Sequence, residues 1–72
     1  MKYQVKLRIG ELLKDRHISQ KQLAEMSHLR EATISDIVRG TRTVINFEHL
    51  ANIAEALQVD DIHDLISLEK TE

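Results

Sequence analysis

The chain has 72 residues, 42% of them hydrophobic and 31% charged, and it contains neither cysteine nor proline. This composition is typical of a folded protein, and the length allows one hydrophobic core and therefore one domain over residues 1–72. The absence of cysteine excludes disulfides and thiolate metal sites. No apolar run approaches the roughly 18 residues of a membrane span, and the N-terminus lacks the apolar stretch of a secretory signal. We therefore expect a cytoplasmic protein without membrane contacts.

The formal net charge of −2 conceals an asymmetry along the chain. Residues 1–45 carry nine basic and five acidic side chains, a balance of +4, whereas residues 46–72 carry one basic and seven acidic side chains, a balance of −6. A division of this kind indicates contact of the basic half with nucleic acid or a membrane, although solvated helices also carry charges of either sign.

Apolar residues recur with a period near 3.6 and predict a series of short helices. The first is expected over about residues 6–16. The second follows Ser19, which has the spacing of a capping box with Gln22, and it ends near Ser27. The third is expected over residues 30–39 and ends at Gly40, because glycine adopts the left-handed conformation without steric cost.

Two further helices are predicted in the second half of the chain. Asn46 is expected to cap a fourth helix, and its apolar residues continue to Leu57. Asp60 and Asp61 are expected to open a fifth, short helix through Ile66, since carboxylates suit the positive end of a helix. The sequence thus predicts an all-α, five-helix domain. Alternation of apolar and polar residues near both termini leaves a short terminal strand pair possible.

The segment from Ser19 to Gly40 has the proportions of a helix-turn-helix, with two short helices joined by a four-residue turn. With the apolar helix after it, this segment resembles the Cro/repressor-type (XRE) helix-turn-helix regulators, over roughly residues 6–67. It is most similar to the small single-domain members common in bacteria and their phages. The motifs that carry the resemblance are Ile18–Gln20, Gln22–Ala24, Thr33–Ser35, Arg39–Gly40, and Leu50, Ile53, Ala54, Leu57 and Val59.

The resemblance implies a lambda-repressor-like fold that binds double-stranded DNA through the helix over residues 30–39, typically as a repressor. It places residues of the first 46 positions at the DNA, as contacts to bases or to phosphates. These are Gln20, Lys21, Arg30, Glu31, Ala32, Thr33, Asp36, Arg39, Thr41, Arg42, Thr43 and Asn46. Asp36 has the alternative of a structural pairing within its helix. The N-terminal amides of the fourth helix, beside Asn46, are expected to form an anion site.

Two positions depart from the family pattern. His28 stands where relatives usually have a turn glycine, at a position that often requires a positive φ. Arg30 stands where a serine or threonine usually caps the recognition helix, so a less firmly started helix is expected. Both departures bear on how strongly the domain binds DNA.

A homodimer is expected, because two recognition helices read a palindromic operator. The apolar candidates for its interface are Ile62, Leu65, Ile66 and Leu68. An enzyme is not expected, since the four histidines lack a nucleophile, a glycine-rich loop or a second metal ligand at helical spacing. No cofactor, metal or small-molecule ligand is expected. The alternative function is a protein-interaction module, an antitoxin-like or antirepressor partner, that works through the acidic half.

Overall fold

The computed structural model describes residues 2–40 and 45–71. Within these ranges the chain forms four α-helices, one 3₁₀ turn and two strands. The helices are α1 (Ile9–Arg16), α2 (Gln20–Ser27), α3 (Glu31–Arg39) and α4 (Phe47–Leu57), and the 3₁₀ turn is Ile62–Asp64. The strands β1 (Lys2–Leu7) and β2 (Ile66–Thr71) pair antiparallel, with Val5 opposite Leu68. We call this two-stranded sheet the terminal ribbon.

The hydrophobic core lies where the four helices and the start of β2 meet. Its fully buried side chains are Ile9, Leu23, Ile34, Ile53 and Leu65. Gly10 lets α1 approach α3 closely, because a Cβ at this position would lie 3.1 Å from Cγ1 of Val38. Ser27 is a buried polar residue of the core, and its hydroxyl donates to the carbonyl of Leu23 at 2.6 Å. This bond removes the cost of burying the hydroxyl.

The predicted helix boundaries in the middle of the chain are confirmed by their caps. The amide of Gln22 donates to Oγ of Ser19 at 3.0 Å and the amide of Ser19 donates to Oε1 of Gln22 at 2.8 Å, which completes the capping box. Gly40 ends α3 with φ +67°. Asn46 caps α4, where its Oδ1 accepts from the amides of Glu48 and His49.

The two ends of the chain differ from an all-α domain. The first helix begins at Ile9, because residues 2–7 pair with β2 instead of extending the helix. The predicted fifth helix is reduced to the 3₁₀ turn, and the chain from Ile66 onward is strand. The amide of Arg8 donates to the carbonyl of Leu65 at 2.7 Å, which fixes the strands at this point. The five-helix prediction was wrong in this respect, and the possible terminal strand pair is confirmed.

Candidate nucleic-acid interface

The α2–turn–α3 unit places α3 on the outside of the helical core. Leu23 and Ala24 of α2 and Ile34 and Ile37 of α3 are all buried, so the two helices share one apolar interface. His28 ends α2 in the left-handed conformation with φ +59°, and its amide donates to the carbonyl of Ala24. The structure therefore accommodates histidine at the turn position where glycine is usual. The predicted positive φ at His28 is confirmed.

The outward side of α3 is a stripe formed by Ala32, Asp36 and Arg39. These residues follow the spacing i, i+4, i+7 and lie opposite the buried Ile34 and Ile37. Ala32 and Arg39 are exposed and Asp36 is half-buried. Because alanine has the shortest side chain of the three, the helix axis can approach a flat surface closely at this point. We call this set the outward stripe.

Asp36 and Arg39 form an ion pair within the outward stripe. Nη2 of Arg39 lies 2.6 Å from Oδ1 of Asp36, and the side chains are 61% and 32% exposed respectively. The pair is a charge-assisted hydrogen bond between positions i and i+3. It places a positive charge next to the carboxylate on the outward side of α3. The intrahelical pairing considered for Asp36 is therefore present.

The remaining predicted contacts lie in the first turns of α2 and α3, with Arg30 just before α3. Lys21, Arg30 and Glu31 are exposed, whereas Gln20 and Thr33 are half-buried. Arg30 occupies the N-cap position of α3 and makes no side-chain cap bond, as the sequence predicted. The first turn of α3 thus lacks the side-chain cap that Ser19 supplies to α2.

A shallow groove lies at the other end of α3, where β1, α3 and α4 converge. It is lined by Leu7, Asp36, Ile37, Gly40, Ile45, Asn46, His49 and Leu50. Sequence reasoning missed Leu7 and His49 at this place, since they are distant from α3 along the chain and no local pattern connects them. Thr41, Arg42 and Thr43 were predicted to contact the DNA backbone and lie outside the described residues.

The expected anion site at the N-terminus of α4 competes with its own cap. Oδ1 of Asn46 lies 2.9 Å from the amide nitrogen of Glu48 and 3.2 Å from that of His49. These amides are the donors that a phosphate would use. A phosphate must therefore displace the Asn46 side chain or use other donors.

Two arginines of the first half bind backbone carbonyls of the second half and so stabilise the fold. Nη1 of Arg8 donates to the carbonyl of His63 at 3.3 Å, and Nη1 of Arg16 donates to the carbonyl of Leu57. Arg8 also lies 3.9 Å from the carboxylate of Glu11. The +4 balance of the first half thus overstates the charge available to an external anion.

The four predicted dimer residues lie in unequal environments. Ile62 and Leu68 are 54% and 66% exposed, whereas Leu65 is 2% exposed and belongs to the core. Ile66 is half-buried and packs against the core. Leu65 is therefore inaccessible to a second copy, because it lies between the 3₁₀ turn and β2 with its side chain buried in the core. The exposed apolar residues on the same face of the ribbon as Leu68 are Tyr3 and Val5.

The described residues contain neither a metal-binding cluster nor a membrane-spanning helix. No group of three histidine, cysteine, aspartate or glutamate side chains in residues 2–40 and 45–71 is placed to hold a metal ion. None of the helices in this part of the chain is long and apolar enough to cross a membrane.

Comparison with known proteins identified a matching family model. Neither the curated proteins nor the solved structures gave a significant match. The model of the Cro/C1-type HTH DNA-binding domain matches residues 8–71, which includes all four helices and the whole of β2. Proteins built on this domain are typically non-enzymatic DNA-binding regulators. Because the match covers most of the chain and agrees with the helix-turn-helix geometry, the chain belongs to the Cro/C1-type HTH DNA-binding domain family.

Proposed function

We propose that the protein is a sequence-specific transcriptional repressor that binds a palindromic operator as a homodimer. The observation that carries the proposal is the outward stripe of α3, which lies on a helix held from behind by two buried isoleucines. A major groove about 12 Å wide accepts such a helix with its outward side chains against the base edges. Bound to a promoter, the dimer represses by excluding the polymerase.

In this arrangement the outward stripe faces the bases and the neighbouring cations face the phosphates. Ala32 permits close approach and offers a methyl group to a thymine methyl. Thr33 and Gln20 have hydroxyl and amide groups that donate to phosphate oxygens. Lys21, in the first turn of α2, and Arg30, at the N-cap of α3, are both exposed and supply charge for the sequence-independent part of the affinity. In the same proposal, Glu31 accepts from a cytosine amino group.

The terminal ribbon is the proposed dimer contact. Directly opposite residues of an antiparallel pair point to the same face, so Val5 and Leu68 share one face with Tyr3. A two-stranded ribbon is marginally stable in water unless its apolar face is covered. The core covers the end of this face at Leu7 and Ile66, and Tyr3, Val5 and Leu68 remain 58–66% exposed. A second copy offers the same face, which makes a two-fold interface self-complementary. Ile62, which is 54% exposed in the 3₁₀ turn before β2, is a further apolar candidate for this contact.

DNA binding is tested by selection from a pool of random duplexes, followed by fluorescence anisotropy with the selected duplex and with a scrambled one. We expect affinity for both duplexes to fall steeply between roughly 50 and 200 mM salt, since phosphate contacts release counterions. The Ala32→Glu variant places a second carboxylate in the outward stripe, at its N-terminal end, and is expected to lose binding. Its matched control is Ala51→Glu, the same change at an exposed alanine of α4.

Three outcomes contradict the DNA proposal. The first is no binding to any duplex at the lower salt concentration. The second is selection without sequence preference, and the third is an equal loss for both alanine variants. Any of the three, together with capture of a protein partner that binds the acidic half of the chain, favours the alternative function, a protein-interaction module.

The dimer is tested separately by sedimentation equilibrium in the absence and presence of DNA. The wild-type chain is expected to have twice the mass of one copy, and Leu68→Ser is expected to shift the equilibrium to the monomer. Phe47→Ser is the control, because Phe47 is 82% exposed at the start of α4 and lies outside the ribbon. A wild-type protein that remains monomeric at high concentration and on DNA overturns the dimer proposal.

A further inference from the structure

Asp36 presents an electrostatic problem for any DNA-binding role of α3. It lies in the middle of the outward stripe, so docking of α3 into a groove brings its carboxylate near phosphates. A carboxylate in this position opposes binding unless it has a function that compensates the repulsion. The structure offers such a function in the contact between Asp36 and Arg39.

The geometry of the pair fixes the acid more firmly than the base. Asp36 is the less exposed partner, at 32% against 61% for Arg39, and its residue also lines the groove beside Leu7 and Ile37. The bond of 2.6 Å uses one Nη2 donor of the guanidinium. Arginine has five N–H donors in a planar fork, so several remain for another acceptor. Since Arg39 is largely exposed, these donors are open to a ligand on the outside of α3.

We propose that Asp36 is a positioning residue that holds the Arg39 guanidinium ready to donate to the O6 and N7 acceptors of a guanine in the major groove. The inference rests on the proposed DNA-binding function and assigns one specificity-determining pair within it. Asp36 itself does not touch the DNA in this arrangement. It removes the conformational freedom that a long arginine side chain would otherwise lose on binding.

A guanine is favoured over a phosphate because of where Arg39 lies on the helix. It shares the outward stripe with Ala32, which is the side of α3 that faces the floor of the groove when the helix docks. A planar fork fixed in one orientation matches the paired acceptors of guanine. A contact to phosphate needs no such fixed orientation, as the point charge of lysine also serves it.

The two possible roles of Asp36 predict opposite signs for one substitution. Asp36→Asn removes a negative charge, so simple electrostatics predicts tighter binding to every duplex. A positioning role predicts weaker binding to the selected duplex, by about tenfold, with affinity for a scrambled duplex unchanged or raised. Asp15→Asn is the matched control, because it removes the same charge from an exposed site on α1.

The experiment measures the affinities of the full-length wild type, Asp36→Asn, Asp15→Asn and Arg39→Lys by anisotropy, with thermal melting to show that each variant is folded. Duplexes with each G·C pair of the selected site replaced in turn report base preference. Arg39→Lys keeps the charge and is expected to lose the preference for one guanine, and Asp36→Asn is expected to weaken the same preference. The double variant Asp36→Asn with Arg39→Lys is expected to bind like Arg39→Lys alone.

Two results overturn the inference while leaving the proposed function intact. One is an Asp36→Asn variant that binds the selected duplex as tightly as the wild type or more tightly. The other is an Arg39→Lys variant that keeps every base preference or loses affinity equally for all duplexes, which indicates a phosphate contact. A wild-type protein that selects no duplex overturns the proposed function and this inference together.

Discussion

The α2–turn–α3 unit and the terminal ribbon differ in two respects, the polarity of their exposed side chains and the amount of buried core beneath them. The helical unit rests on a filled core, with Ile34 fully buried, and presents a largely polar outward stripe. The ribbon is a single layer only two strands wide, and it presents Tyr3 and Leu68, which are 65% and 66% exposed. Polar groups exposed on a rigid support suit recognition of a hydrated ligand. Apolar groups exposed on a thin support suit burial against a partner.

The first prediction compares the packing of the helical core with that of the terminal ribbon, and it has the largest expected effect. Ile34→Ala should lower the free energy of unfolding by about 3 kcal/mol, because it removes buried methyl groups and leaves a cavity. Val5→Ala should change the unfolding free energy of the monomer by less than about 0.5 kcal/mol, as is usual for exposed positions. Urea denaturation at low protein concentration measures both. Similar losses for the two variants would show that the ribbon is as firmly packed as the core.

The second prediction concerns the two left-handed residues that end α2 and α3. Gly40→Ala should destabilise the fold by about 1 kcal/mol, since the added Cβ is strained at φ +67°. The opposite change, His28→Gly, should stabilise it by up to about 1 kcal/mol through relief of the strain at φ +59°. The comparison is made by thermal melting of both variants. A loss of stability in His28→Gly would mean that the imidazole makes contacts that outweigh the strain.

The third and smallest effect is expected at the 3₁₀ turn that leads into β2. Oδ1 of Asp61 accepts from the amide of His63 at 2.9 Å and lies 2.8 Å from Nδ1 of its ring. The bond from the backbone amide, followed by that from the ring, lowers the pKa of Asp61 below its ordinary value of 3.8. A lowered pKa in the folded state means that the contribution to stability is present above the unfolded value and is lost as the pH falls through the folded one.

Carboxyl-carbon NMR titration is expected to give an Asp61 midpoint below the ordinary value of 3.8. We expect the amide of His63 to lose its exchange protection over the same acidic range, while the amides of α3 keep theirs. Because Asp61 is exposed, global stability should change little. An Asp61 midpoint at or above 3.8 would contradict the cap.

The helix-turn-helix was predictable because its signals are local. The capping box of Ser19 with Gln22, the spacing of Ile34 and Ile37, and the stop at Gly40 each involve residues within about one turn of each other. The positive φ at His28 and the missing side-chain cap at Arg30 were predictable for the same reason. Each depends on the position of one residue relative to a helix end.

The secondary structure of residues 60–71 was less predictable from the sequence than the helix-turn-helix. Ile62, Leu65 and Ile66 have a helical spacing. In the structure, however, residues 66–71 form backbone hydrogen bonds with β1, and Leu65 is buried in the core. A short helix through Ile66 would not allow this pairing with β1. Pairing with a strand some 60 residues away leaves little trace in local periodicity. For this reason Leu65, a predicted dimer residue, is part of the core, whereas Tyr3 and Val5 lie on the exposed face of the terminal ribbon.

The sequence by itself determined the helix-turn-helix, the caps of α2 and α4 and the side of α3 that is exposed, since capping and amphipathic spacing act within a few residues. Only the tertiary structure decided that the terminal strands replace a fifth helix and that Arg8 and Arg16 serve the scaffold. Tertiary structure likewise brought Leu7 and His49 beside the end of α3. These outcomes depend on contacts between residues far apart in the chain, whose free energies exceed the local preferences.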